Sequence, residues 1–140
     1  MNRRDVVLGT VGAAAVGVAM RARADVPSGP PSSTSLIDSA FVCLQVGQAC
    51  QQFCLTMLGK GETALAECAG TIAAMLPLCA ALTELAVQGS PRLKALALVC
   101  AQVCRDCEKA CRKHEAHHPI CKQCADSCAA CAAQCDKVPA

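Results

Sequence analysis

The sequence predicts an all-α protein, an antiparallel up-down-up-down four-helix bundle with a cysteine-lined core. Three observations carry that expectation. Hydrophobic residues make up 54% of the 140-residue chain while aromatics reach only 1%, so a core must be built from Ala, Leu, Val and Cys, which suits closely spaced helices. Glycine and proline divide the region from about residue 35 to 137 into four long segments joined by turns of a few residues. Within those segments the cysteines recur in steps of three and four, the period of one helix face. A chain of this length supports one domain with one core.

The first 24 residues read as an address. Met1 to Arg4 is a short basic start, Val6 to Met20 is an uncharged run of 15 small and apolar residues, and Ala22-Arg23-Ala24 supplies a small-x-small cleavage site. The run falls short of the ~20 residues a membrane-spanning helix needs. The paired Arg3-Arg4 resembles a twin-arginine export signal, although Asn2 and Val6 depart from its usual pattern. The expectation is therefore an exported, periplasmic protein, folded in a reducing compartment before transport and not membrane-bound after cleavage.

Residues 25–34, with Pro27, Pro30, Pro31 and a serine cluster, read as a flexible lead-in. The first helix is expected over 35–58, stopping at Gly59-Lys60-Gly61, and the second over 62–87, kinked at Pro77 and stopping at Gly89. Ser90-Pro91 opens a third helix to 117, and His118-Pro119 restarts the chain as a fourth, 119–137. Short connections between long amphipathic segments make neighbours antiparallel.

The core rows follow. The fourth helix carries Cys121, Cys124, Cys128, Cys131 and Cys135, an a/d seam made wholly of cysteine. The third carries Cys100, Cys104, Cys107 and Cys111, a row that continues to His114 and His118. The first contributes Cys43, Cys50, Cys54 and Met57; the second Leu65, Cys68, Ile72, Met75, Cys79 and Leu82, where Met75 reads as plain core.

Once the signal's four basic and one acidic side chains are removed, nine basic and ten acidic remain. With Phe41 and Phe53 as the only aromatics, neither a phosphate-binding footprint nor a base-stacking platform is present, so nucleic acid is not an expected partner.

Cysteines three or four apart on a helix lie about 5–6 Å apart at Cβ, so both sulfurs can swing onto one ion. Such pairs are Cys50 with Cys54, Cys100 with Cys104, Cys107 with Cys111, Cys124 with Cys128, and Cys131 with Cys135, with further links from Cys104 to Cys107 and Cys128 to Cys131. Cys43, Cys68 and Cys79 would join by bridging between helices. Two or three thiolates suit Cu(I), a soft monovalent ion. About one Cu(I) per thiolate leaves a neutral core, whereas tetrathiolate Zn(II) leaves each site at −2 in a dry interior. The loops typical of zinc knuckles and iron-sulfur clusters are absent. Two other readings remain open: a disulfide-stapled structural bundle, and a Zn or Cd buffer of metallothionein type. The charged residues Glu108, Lys109, Arg112, Lys113 and Glu115 read as a solvated face. A Cys111–His114 nucleophile lacks any sign of a substrate pocket, so an enzyme is not expected.

The rows Cys100-x3-Cys104-x2-Cys107-x3-Cys111 and Cys121-x2-Cys124-x3-Cys128-x2-Cys131-x3-Cys135 resemble those of the copper storage proteins, bacterial four-helix bundles filled with cysteine. The likeness covers most of residues 35–137. It implies Cu(I) held mainly by cysteine pairs along the bundle axis, access at one open end, and association into tetramers. Stored copper would exchange with a copper chaperone or a client copper enzyme. Met57, His114 and His118, expected together at one end with Cys111 and Cys121, are candidate outer ligands passing Cu(I) inward; the methionine relay of exported members is only partly matched here.

Overall fold

The computed structural model describes residues 31–140, so the expected signal segment 1–24 and lead-in residues 25–30 lie outside the described residues. Four helices follow in order: α1 Pro31–Gly59, α2 Ala66–Val87, α3 Leu93–Arg112 and α4 Pro119–Asp136, with a single 3-10 turn, Thr63–Leu65, leading into α2. Each helix packs against two neighbours in the order α1, α2, α3, α4 and back to α1, which closes the up-down-up-down bundle.

Two glycines shape the connections. Gly61 takes φ +95° and Gly89 φ +61°, the left-handed region in which other residues are strained. At the first, Glu62 N–H donates to the Met57 carbonyl and Gly61 N–H to that of Leu58. At the second, Ser90 N–H donates to Leu85 and Gly89 N–H to Ala86, the same paired motif that satisfies the last carbonyls of a helix. Ser90 Oγ then accepts from Arg92 N–H at 3.2 Å and caps the turn before α3.

Three boundaries differ from the sequence expectation. α1 starts at Pro31, so residues 31–34 belong to the helix rather than to the lead-in; proline is well suited to a first helical position. α2 starts at Ala66, after the 3-10 turn Thr63–Leu65 and four residues later than expected, and runs through Pro77, which lies on the solvent side. α3 ends at Arg112, five residues before the expected 117, and residues 113–117 form turns. The apolar row stops at Cys111, so Lys113 to His117 have little to bury. The chain must also reach an extended His118 (φ −130°, ψ 98°), the conformation that a following proline enforces.

The core runs along the bundle axis. α1 buries Leu36, Ala40, Cys43, Gly47, Cys50 and Cys54, and α2 buries the expected row from Leu65 to Leu82. α3 and α4 bury all nine of their cysteines together with Ala97, Ala101, Ala110, Ala125 and Ala132. Small residues beside the sulfurs let the helices approach closely. At one end Leu36, Leu82, Ala86, Ala97 and Val138 are buried, Leu36 and Val138 line a surface cavity of about 250 Å³, and the Val138 carbonyl accepts from Lys94 Nζ at 2.6 Å.

Gly89→Ala is expected to destabilise the reduced, metal-free bundle by about 1–2 kcal/mol, the cost of a Cβ in the left-handed region. No atom lies within 4 Å of the added Cβ, so the loss is conformational rather than steric. Equilibrium urea unfolding measures it, and an unchanged midpoint contradicts this account of the α2–α3 turn.

Candidate metal centre

All fourteen cysteines are free thiols with no exposed surface, and every one sits on a row facing the axis. No pair is at disulfide distance; the shortest separation among the thiol contacts is 3.0 Å, between Cys68 and Cys111. The disulfide-stapled reading therefore has no support in this core.

The close contacts cross between helices. Cys43 lies 3.7 Å from Cys128, Cys79 lies 3.6 Å from Cys104, and Cys107 lies 3.9 Å from Cys124. Four groups have all their sulfurs within 4.8 Å of one another: Cys43, Cys79, Cys104 and Cys131, one from each helix; Cys50, Cys54, Cys68 and Cys121; Cys50, Cys111 and Cys124; and Cys107, Cys124 and Cys128. Cys50 and Cys124 each belong to two groups, which links three of the four, and the Cys43–Cys128 contact brings the fourth into the same column. Cys100 and Cys135 extend it toward the end with Leu36 and Val138, and the Cys100 thiol donates to the Leu78 carbonyl at 3.3 Å.

Sequence reasoning emphasised pairs along one helix. Of these, Cys50 with Cys54 and Cys124 with Cys128 recur inside the groups, but each is completed by sulfurs from other helices. The signal that would have shown this is the antiparallel register, which places α1 and α3 rows at the heights of α2 and α4 rows.

At the end formed by the α1–α2 and α3–α4 connections the three candidate outer residues are placed differently. Met57 is partly buried on α1 and packs against the core. His118 is 22% exposed; its ring lies 5.0 Å from that of Phe53 and its Nε2 3.7 Å from the Glu62 carboxylate. His114 is half-buried in the turn after α3, so it does not continue the Cys107–Cys111 row as a helical position. Around it, Arg112 ties α3 to α4 through Asp126 at 2.7 Å and holds Glu108 and Glu115, while Lys113 reaches Glu67 on α2 at 2.6 Å.

Burial sets the protonation of the thiols. Loss of solvent pushes Cys54 and Cys121 well above the ordinary thiol range, and neighbouring Cys68 and Cys50 add to the effect through like charge. Deeper in the column, hydrogen bonds from Cys104 and then Cys128 hold Cys43 below its ordinary range, while the same network, Cys104 first, pushes Cys128 above it.

The sign for stability follows. A thiol whose folded value is raised stabilises the folded state below the ordinary value of 9.0, and that contribution is lost as pH rises toward the folded value, about 11 for Cys68. Nine thiols are raised and four (Cys43, Cys50, Cys107 and Cys131) are lowered, so the raised set decides the direction. The denaturant midpoint of the reduced, metal-free protein is expected to fall between pH 9.0 and about 11; a midpoint that rises across this window contradicts a core of mostly protonated thiols.

Comparison with known proteins places these features. The solved structure of a Cu(I)-bound copper storage protein, BsCsp3, superposes with a TM-score of 0.69 at 28% identity, covering 78% of this chain and 99% of that one. No curated protein matches the chain. The family described as copper storage protein matches residues 31–140, which is the whole of the bundle with its cysteine column. The chain belongs to the copper storage protein family.

Proposed function

We propose that this protein binds and stores many Cu(I) ions, roughly one per cysteine, on the thiolates of its core. The observation that carries the reading is the column itself: fourteen fully buried free thiols, twelve of them in groups whose sulfurs all lie within 4.8 Å of one another. Each Cu(I) that replaces a thiol proton leaves the interior neutral, so ions can accumulate without charge building up. A divalent ion held by four thiolates would leave −2 per site, which argues against a Zn or Cd buffer. The shared cysteines favour bridging, which a two- or three-coordinate soft ion accepts. The role is storage rather than catalysis.

Access is at the end formed by the α1–α2 and α3–α4 connections, where the candidate outer ligands Met57, His114 and His118 lie beside the column. Met57, His114 and His118 serve there as exchangeable outer ligands, with His118 and Met57 better placed than His114. Copper passes through this end to or from a copper chaperone or a client copper enzyme.

Export by the twin-arginine route to the periplasm fits a protein that must arrive with its thiols reduced. Thr63–Val87 is long and apolar enough to cross a membrane by composition, but its Leu65-to-Leu82 row is committed to the bundle interior. The rest of that helix supports self-association into a tetramer. No charge occurs from residue 39 to 59 or from 68 to 83, and Phe41, Val42 and Leu55 stand exposed on α1. The charged side chains concentrate on α3 and α4.

Anaerobic Cu(I) titration of the reduced protein against a chromophoric chelator tests the reading, with thiolate-to-copper charge transfer and helical circular dichroism followed together. The expected result is tight uptake of about fourteen ions into a bundle already helical before metal is added. Uptake of a few weakly held ions contradicts it. Replacing Met57 with Leu and His118 with Ala together is expected to slow loading several-fold with capacity nearly unchanged; an unaltered rate removes these residues from the path.

A further inference from the structure

The cysteine column narrows on one side. Between Cys68 and Cys79, α2 presents Ile72 and Met75 to the axis, and directly across from them α1 presents Gly47 where its row would otherwise carry a side chain. A Cβ built on Gly47 would come within 2.8 Å of the Met75 methyl carbon and 3.0 Å of Leu76 Cδ2. The glycine therefore clears the space that the Met75 side chain fills. Met75 is fully buried, and its Sδ accepts from the Cys43 thiol at 3.5 Å. On its other side Cys43 meets Cys128 at 3.7 Å. Three sulfurs from α1, α2 and α4 are thus strung together at mid-height.

We propose that Met75 is a copper ligand: its thioether and the Cys43 thiolate form a mixed Cu(I) site at the narrow point of the column, with Cys128 as the third sulfur. The inference rests on the copper-storage reading and adds to it a ligand that is not a cysteine. A thioether is a soft donor that needs no deprotonation. The bound Cu(I)–Cys43 thiolate unit is neutral, and the thioether completes the coordination without adding charge to the interior. Aliphatic packing alone does not require sulfur at this position, since Leu65, Ile72 and Leu82 fill the same row elsewhere. With Met75 as a donor, α2 offers sulfur at 68, 75 and 79, and the group of Cys43, Cys79, Cys104 and Cys131 gains a further sulfur through the Cys43–Met75 contact.

The test uses the full chain with Met20→Leu and Met57→Leu, grown on selenomethionine, so that Met75 and the initiating Met1 carry the selenium. After anaerobic loading with Cu(I) to capacity, selenium-edge X-ray absorption is expected to show copper bonded directly to selenium. Adding Met75→Leu, a substitution of similar volume, is expected to remove that signal and lower capacity by about one ion with helicity unchanged. Full uptake with no copper bonded to selenium, or a copper–selenium signal that survives Met75→Leu, overturns the proposal while copper storage stands. Failure to take up copper at all overturns the storage reading, and this proposal with it.

Discussion

Fourteen thiols share one apolar interior, and each thiolate formed there loses its hydration with no buried basic side chain among the described residues to replace it. The bundle tolerates this in the metal-free state because a protonated thiol behaves as a small, weak hydrophobe. Cys54 and Cys121 show the constraint plainly, since burial itself is the main force keeping them protonated. The only charges the core accommodates easily come in neutral sets, a soft monovalent cation with each thiolate. That electrostatic condition favours a soft monovalent cation over a divalent one in this core.

The helices meet the condition by being small on the inside. Alanines beside the sulfurs, Gly47 facing Met75 and the absence of aromatics from the buried rows bring four backbones close enough for thiols on different helices to touch. Aliphatic residues cover both ends of the column, Leu36, Leu82 and Val138 at one and Leu65, Leu58 and Ile120 at the other, with Ile72 between them. Polar interactions are kept to the outside. Arg105 pairs with Asp136, and Arg112 and Lys113 brace the α3–α4 turn without placing a charge inside the core.

Much of this architecture was legible from spacing. The three-and-four steps of Cys121 to Cys135 and Cys100 to Cys111 can only form one helix face, and Gly61 and Gly89 mark the stops because their backbone conformations exclude most other residues. The end of α3 was not legible, because propensity continues smoothly past Arg112 while tertiary burial does not. His114 consequently fell off the row that heptad counting assigned to it. The grouping of thiols also escaped a one-helix reading, since it depends on the heights at which antiparallel neighbours meet. Gly47 and Met75 carry a related lesson: a glycine in a core row looks like a gap until the long side chain opposite is seen to fill it.

The most direct test of a continuous copper column is anomalous diffraction at the copper edge from crystals of the fully loaded protein. The account predicts a string of copper sites along the bundle axis, most of them bridging cysteines of different helices. Copper confined to the end beside Met57 and His118, or bound only at the surface of an unmetallated core, would contradict it.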